Sequence, residues 1–262
     1  MRFISVLCAL VFGVAAVAAA GDEQLVNIKG EVLSKNVFRG EVLNADPVAA
    51  TTLGLNKGVF GLDIKMVNDL TSENDTCGDV TELDLDLHVS DTLIKNDAAK
   101  YVNELTVFGG VELFTYPESD KHATAEVYAG IDTMSNKLKG IHTKYVVHYD
   151  FDEADGFYLE SVMYKPIAVP FGFKVKSQEF KTTATPEFGM GYGSANYNQF
   201  HWDSEGAATT DWDAALKVIC ESKNVMFGPS IMYTDLVGHD IQDKQHEDSS
   251  NWVYGFMVGG KF

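Results

Sequence analysis

The chain has 262 residues, of which 45% are hydrophobic and 22% charged, and its formal net charge at pH 7 is −18. Such an acidic chain lacks the basic surface of a general nucleic-acid binder. Its ordinary apolar content argues against a wholly disordered acidic protein, and three cysteines are too few for a disulfide scaffold. A folded acidic protein, rich in glycine and aromatic residues, remains.

The first twenty residues have the pattern of a secretory signal peptide. Arg2 precedes an apolar stretch from Phe3 to Val17, and three alanines follow at positions 18–20. A basic start, an apolar stretch and small residues define a cleavable export signal. We therefore predict that residues 1–20 are removed and that residues 21–262 form the mature domain. A retained anchor is the alternative, although the stretch is short for a membrane-spanning helix.

Only two cysteines follow the predicted cleavage site, Cys77 and Cys220. An oxidising compartment would allow them to form a disulfide. Cys77 lies in a stretch rich in Asp, Glu and Asn, however, and Cys220 ends a run of alternating apolar residues. We predict that both are unpaired.

Strict alternation of apolar and polar residues recurs along the mature chain. Leu83, Leu85 and Leu87, for example, alternate with Glu82, Asp84, Asp86 and His88. Period two places the two sets on opposite faces of a strand. Runs of this kind predict twelve strands: 25–35, 49–56, 59–67, 80–90, 102–115, 122–133, 140–150, 156–165, 186–197, 211–221, 225–235 and 251–262. Most exceed the usual five or six residues and have the length of tilted membrane-spanning strands.

The connections between these strands differ in length. Tight or short turns are predicted at 56–58, 134–139 and 222–224. Longer, mostly acidic connections occupy 36–48, 68–79, 116–121, 151–155, 198–210 and 236–250. With both chain ends on the short-turn side, this is the asymmetry of outer-membrane barrels. Residues 91–101 and 165–185 interrupt the pattern. Phe171, Phe173 and Val175 could form a thirteenth strand, but an odd number of strands would put the two termini on opposite sides, so we interpret 165–185 as a periplasmic excursion.

Alternation also fits a soluble β-barrel that binds a small ligand, so the choice depends on the aromatic residues. The last strand places Trp252, Tyr254, Phe256, Val258, Gly260 and Phe262 on one face. Aromatic residues also gather near strand ends, as membrane interfaces require: Tyr149, Phe151, Phe157, Tyr164, Trp212, Trp252 and Tyr254. We predict an all-β fold, a closed antiparallel transmembrane β-barrel of twelve strands.

Three segments resemble parts of the TorF-type porin family of outer-membrane β-barrels. The sequence VLSKNVFRG at 32–40 resembles the end of that family's first strand, with Asn36 where the family has Tyr. The segments TDWD at 210–213 and IMYTD at 231–235 resemble the family's end, and Phe262 resembles the signal read by the barrel-assembly machinery. The resemblance implies a small pore in the outer membrane and supplies no catalytic residues.

The predicted pore lining is acidic. Its residues are Glu82, Asp84, Asp86, His88, Asp63, Lys65, Glu104, Glu112, Glu126 and Lys144; Asp132, Glu160, Asp213, Lys29 and Lys217 are also predicted to face inward. Uncompensated carboxylates in a pore favour cations. The alternative is that these charges pair across strands and fill the lumen, and the sequence leaves both interpretations open.

No recognisable catalytic or cofactor motif is present in the sequence. It contains no nucleophile elbow, phosphate loop, paired-cysteine zinc pattern or dinucleotide fingerprint. The acidic segment 150–155 lacks the ligand spacing of an EF-hand loop, and His142 and His148 lie about 20 Å apart along one strand. We therefore predict no enzyme activity, cofactor or metal.

These patterns predict a channel for passive diffusion of small solutes or ions in the bacterial outer membrane, with a preference for cations. Its expected partners are membrane lipid, the assembly machinery and the diffusing solutes, without nucleic acid; oligomers are possible. The alternatives are a non-conducting barrel with a structural or partner-binding role and a secreted, soluble ligand-binding barrel.

Overall fold

The computed structural model describes residues 24–71, 77–96, 99, 101–117, 123–242 and 249–262. The predicted signal peptide at 1–20 lies outside these residues. The strands are β1 (Gln24–Leu33), β2 (Asn36–Phe38), β3 (Glu41–Asn44), β4 (Val48–Lys57), β5 (Phe60–Asp69), β6 (Val80–Lys95), β7 (Glu104–Thr115), β8 (Thr124–Ser135), β9 (Ile141–Asp150), β10 (Gly156–Tyr164), β11 (Ile167–Val175), β12 (Gln178–Gly193), β13 (Ala208–Glu221), β14 (Val225–Leu236) and β15 (Ser250–Lys261).

Helical structure is confined to short segments. The helices are α1 (Ala195–Trp202) and α2 (His239–Gln242), and a 3-10 turn spans Asn136–Leu138. Within the described ranges, no helix combines the length and apolar character needed to cross a membrane.

Twelve antiparallel strands close into a barrel. Strand β1 pairs with both β4 and β15, and β10 pairs with both β9 and β12. The ring therefore consists of β1, β4–β10 and β12–β15, which confirms the predicted fold and strand number. Closure gives every strand in the ring a hydrogen-bonded neighbour on both sides, as a lipid environment requires.

Strand β11 belongs to the sheet but not to the ring. It pairs with the first half of β12, from Gln178 to Ala184, whereas the second half of β12 pairs with β10, from Glu187 to Gly193. Residues 165–185 thus form a hairpin that extends the wall beyond the closed barrel. The predicted position of this segment outside the ring agrees with the structure, but Phe171, Phe173 and Val175 do form a strand, β11, which is the thirteenth strand of the sheet.

The two ends of the barrel differ. The terminal end carries both ends of the described chain and the short β4–β5 and β13–β14 turns. The loop end carries the β1–β4 connection, which contains the β2–β3 hairpin, and the connections that contain α1 and α2. Cys77, in the β5–β6 connection, and Cys220, on β13, are both free, as predicted.

The outer face is apolar and exposed, because alternate side chains of each strand point away from the lumen. Leu87, Trp252 and Phe256 are 59%, 52% and 48% exposed. Near the loop end, the rings of Trp212, Tyr233 and Trp252 lie 5.0–5.2 Å from one another in succession. Near the terminal end, Phe173, Phe180 and Phe227 pack together. These two clusters lie where membrane interfaces place aromatic side chains.

One predicted member of this aromatic set is wrong. The side chain of Tyr164 faces the lumen, where its hydroxyl donates a 2.5 Å hydrogen bond to Asp132 and its ring stacks on His142. A buried hydroxyl needs an acceptor, and the inward carboxylate supplies one.

Candidate functional site: the barrel lumen

The structure places all ten predicted pore-lining residues on the inner face of the ring. They lie on five neighbouring strands, and alternation along each strand places them on the same face of the sheet. These residues are Asp63 and Lys65 on β5; Glu82, Asp84, Asp86 and His88 on β6; Glu104 and Glu112 on β7; Glu126 on β8; and Lys144 on β9. The acidic wall is thus assembled from strands that are consecutive around the barrel.

Part of the acidic row on β6 is neutralised. Lys65 Nζ lies 2.5 Å from Glu82 Oε1 and 2.9 Å from Asp84 Oδ2, and both acidic residues are buried. The second oxygen of Glu82 accepts a 2.7 Å hydrogen bond from Asn36 Nδ2. The alternative in which charges pair across strands therefore applies to this half of the row.

The other half of the row borders a cavity of about 500 Å³. The lining residues are Asp86, His88, Ser90, Thr106, Phe108, Glu112, Tyr128, Asp132, Lys144, Val146 and His148. Three carboxylates in this lining face one lysine, so the cavity is acidic.

The cavity carboxylate of Asp86 is contacted by neutral or weakly basic groups. The Tyr128 hydroxyl donates to Asp86 at 2.9 Å, and His88 Nδ1 lies 3.0 Å from Asp86 Oδ2. Lys144 Nζ lies 3.5 Å from Glu160 rather than beside Asp86 or Glu112. The negative charge of the cavity is therefore less compensated than that of Glu82 and Asp84.

The loop end of the lumen is occupied by the β2–β3 hairpin, which folds inward. The guanidinium of Arg39, at the hairpin tip, donates two 2.7 Å hydrogen bonds to the carboxylate of Glu126 and one of 2.9 Å to the Tyr197 hydroxyl. Its Cζ also lies 4.4 Å from the ring centre of Phe38 and 4.3 Å from that of Tyr158. We call Arg39, Glu126 and Tyr197 the latch.

The protonation states of the latch follow from its contacts. Burial alone would lower the pKa of Arg39, but Tyr197 and Glu126 offset this effect and hold it well above its ordinary value. Burial raises the pKa of Tyr197 above its ordinary value, although Arg39 opposes the rise. The guanidinium thus remains charged and the phenol neutral, so a charge-assisted bidentate pair joins hairpin and wall.

Helix α1 and the loops support the latch with a small apolar core. This core comprises Ala154, Tyr158, Tyr197, Trp202, Leu236 and Ile241, all buried. The α1 helix begins after Ser194, whose hydroxyl accepts hydrogen bonds from the backbone N–H groups of Phe157 and Tyr197. This N-cap fixes the start of the helix and brings Tyr197 over the lumen.

The inward hairpin and the latch are not predicted by the sequence. Its pattern predicts loops outside the barrel at 36–48 and 198–210 and no role in the lumen for Arg39, Tyr158 or Tyr197. The signal in the sequence is the glycine of the Arg39–Gly40 pair, because glycine readily adopts positive φ. Both residues have positive φ, 50° and 82°, as two-residue hairpin turns often do.

Gly40 provides a test of how tightly the hairpin is seated. A Cβ at this position would lie 2.5 Å from Leu236 Cδ2 and 2.9 Å from Asp211 Cβ. We expect Gly40→Ala to lower the free energy of unfolding by about 1–2 kcal/mol because of the left-handed backbone. Overpacking should lower it by about 1–3 kcal/mol more. Gly58→Ala is the matched control, since Gly58 has φ of 60° and nothing within 4 Å. Equal losses in urea unfolding would show that the hairpin is loosely packed.

The closed ring, the apolar exterior and the charged interior define the class: a twelve-stranded transmembrane β-barrel. No protein-family model matches the sequence, and a comparison with curated proteins found no match. The resemblance to TorF-type porins therefore remains a prediction.

Several solved barrels are similar to the chain in structure. A KdgM porin in complex with disordered oligogalacturonate has 9% identity and a TM-score of 0.43, over 91% of this chain and 98% of the porin. LpxR from Salmonella typhimurium has 8% identity and a TM-score of 0.49, over 89% and 99%. An outer-membrane channel from Pseudomonas putida F1 has 11% identity and a TM-score of 0.45, over 91% and 94%. Similarity at this level carries no functional argument.

Proposed function

We propose that the protein is a porin-like channel of the bacterial outer membrane, through which small solutes or ions diffuse passively with a preference for cations. The observation that carries the proposal is the acidic cavity of about 500 Å³ inside a barrel with an apolar exterior. Transmembrane barrels with polar interiors are typical of the outer membrane. In this proposal the protein reaches its site by signal-peptide export and the barrel-assembly machinery, and no catalytic step is involved.

The charge of the cavity supports the direction of the preference. Asp86, Glu112 and Asp132 line it against Lys144, while the better-compensated Glu82 and Asp84 lie outside it. A permeating cation gains attraction from these carboxylates, whereas an anion is repelled. The preference should weaken at high salt because the Debye length shortens from about 10 Å at 0.1 M to about 3 Å at 1 M.

Reversal potentials in planar bilayers under a KCl gradient test this proposal. We expect cation preference for the wild type and a smaller preference for Asp86→Asn combined with Glu112→Gln, because two cavity charges are removed. Lys144→Gln should increase the preference, since it removes the lysine of the lining. The matched control is Asp91→Asn with Glu179→Gln, which removes two exposed carboxylates outside the cavity lining, the first on the outer face of β6 and the second on the hairpin beyond the ring. It should leave the preference unchanged. An anion-preferring wild type contradicts the proposal.

A non-conducting barrel with a structural or partner-binding role is the second candidate. The latch favours it, because Arg39, Glu126 and Tyr197 join the inserted hairpin, the wall and α1 across the loop end. Absence of conductance from folded wild-type protein would support this function and contradict the channel.

The soluble alternative conflicts with the exterior. Large apolar side chains exposed side by side along β6, β7 and β15 form a surface that soluble monomers rarely carry. We therefore prefer the two membrane functions.

A further inference from the structure

We propose that the lumen contains a binding site for a divalent transition-metal ion of the Zn²⁺ type, formed by Asp63, Asp86 and His88. One possible ligand atom from each of these residues lies within 4.8 Å of the other two. All three side chains are half-buried and project from the neighbouring strands β5 and β6, where Asp63 and Asp86 are direct register partners. Conduction is not needed for this site to exist, so it stands apart from the proposed channel function.

The ligand set matches the chemistry of Zn²⁺. One imidazole nitrogen and two carboxylate oxygens are typical protein ligands for this ion, and a fourth position can be filled by water. Imidazole favours Zn²⁺ over the oxygen-preferring ions Ca²⁺ and Mg²⁺. The two carboxylates also balance the two positive charges of the ion, because an unpaired charge is costly in a partly buried position.

The walls of the site are shaped by two glycines that face the lumen. A Cβ on Gly61 would collide with the His88 ring and lie 2.8 Å from Asn56 Oδ1; a Cβ on Gly54 would lie 2.5 Å from Asp63 Oδ1 and collide with Asn27. Because these positions lack side chains, His88 and Asp63 lean over the β4–β5 wall. The lack of side chains at Gly54 on β4 and Gly61 on β5 thus leaves the space in which Asp63 and His88 come together.

Neighbouring groups orient the ligands. The Tyr128 hydroxyl donates to both oxygens of Asp86, at 2.9 and 3.1 Å, and fixes that carboxylate. His88 Nδ1 lies 3.0 Å from Asp86 Oδ2, so the ion would take the place of the proton that these two atoms share. The imidazole proton then resides on Nε2, the ring atom that lies nearest to the position of a Cβ on Gly61.

The Asp132–His142 pair shows what distinguishes this site. His142 Nδ1 lies 3.4 Å from Asp132 Oδ1 in the same lumen, and Tyr164 donates to the other carboxylate oxygen. Among the described residues, no third His, Cys, Asp or Glu completes a ligand group with this pair. It therefore supplies a matched control.

The test is calorimetric titration of the detergent-folded barrel with ZnCl₂. We expect saturable binding of one Zn²⁺, at least about tenfold weaker for His88→Ala and for Asp63→Asn, and unchanged for His142→Ala. CaCl₂ and MgCl₂ should bind more weakly than ZnCl₂. Retained heat-modifiable migration in gels verifies that each variant is folded.

Three results would overturn the metal site: no saturable Zn²⁺ binding, equal binding by wild type and His88→Ala, or an equal loss in His142→Ala. None depends on ion flow. A barrel that binds Zn²⁺ without conducting therefore refutes the channel alone, and one that conducts without binding Zn²⁺ refutes the metal site alone.

Discussion

Replacing Arg39 by alanine is expected to destabilise the barrel by about 3–5 kcal/mol and to raise its single-channel conductance. The substitution removes both hydrogen bonds to Glu126 and leaves that carboxylate buried without its guanidinium partner, which is the costly way to break a buried ion pair. It also frees the hairpin tip from Tyr197, so the loop end of the lumen widens. Urea unfolding in lipid vesicles gives the first quantity and planar-bilayer recording the second.

A double variant separates the two effects. Arg39→Met combined with Glu126→Leu replaces the ion pair with apolar side chains, and such replacements are often close to neutral. We expect most of the lost stability to return. If the double variant is as unstable as Arg39→Ala, the lost stability comes from packing of the Arg39 side-chain stem rather than from the buried Glu126 carboxylate without its guanidinium partner.

Leu87→Arg is expected to impair membrane assembly strongly, by about 2–4 kcal/mol if the residue lies near the bilayer midplane. The side chain is 59% exposed on the outer face, where lipid would surround it. Thr106→Arg is the matched control, because Thr106 borders the lumen cavity and an arginine there remains hydrated. Heat-modifiable migration and the folded fraction in vesicles measure both variants. A greater loss for Thr106→Arg would mean that the inner and outer faces are interchanged.

Much of the barrel was predictable because each wall strand has an apolar and a polar face. The alternation around Glu82 and Leu83 determines which side chains face inward, and it also gives the start of β6 at Val80. The alternation predicts that β6 ends at residue 90, whereas the strand continues to Lys95. Pairing with β7 extends the strand, and the partner strand is not encoded within the local sequence.

The latch was not predictable in the same way. Arg39 and Glu126 are separated by 87 positions, and Arg39 and Tyr197 by 158. Local periodicity carries no information on such contacts, and the polar residues around Arg39 are typical of a solvated loop. The pairing of Lys65 with Glu82 and Asp84 likewise depends on the β5–β6 register, in which Lys65 lies opposite Asp84. The sequence could therefore identify the charges of the lumen but not their partners.

The contacts of the inserted hairpin also have a consequence for folding. It follows β1 directly, yet Arg39 bonds to β8 and α1, and Lys35 bonds to Asn251 across 216 positions. Contacts between such distant segments form slowly, because the intervening chain must first be arranged. We therefore expect the hairpin to insert after the later strands have paired, as one of the last steps of folding. We expect newly closed barrels to pass through a wider, unlatched state before they reach the final structure.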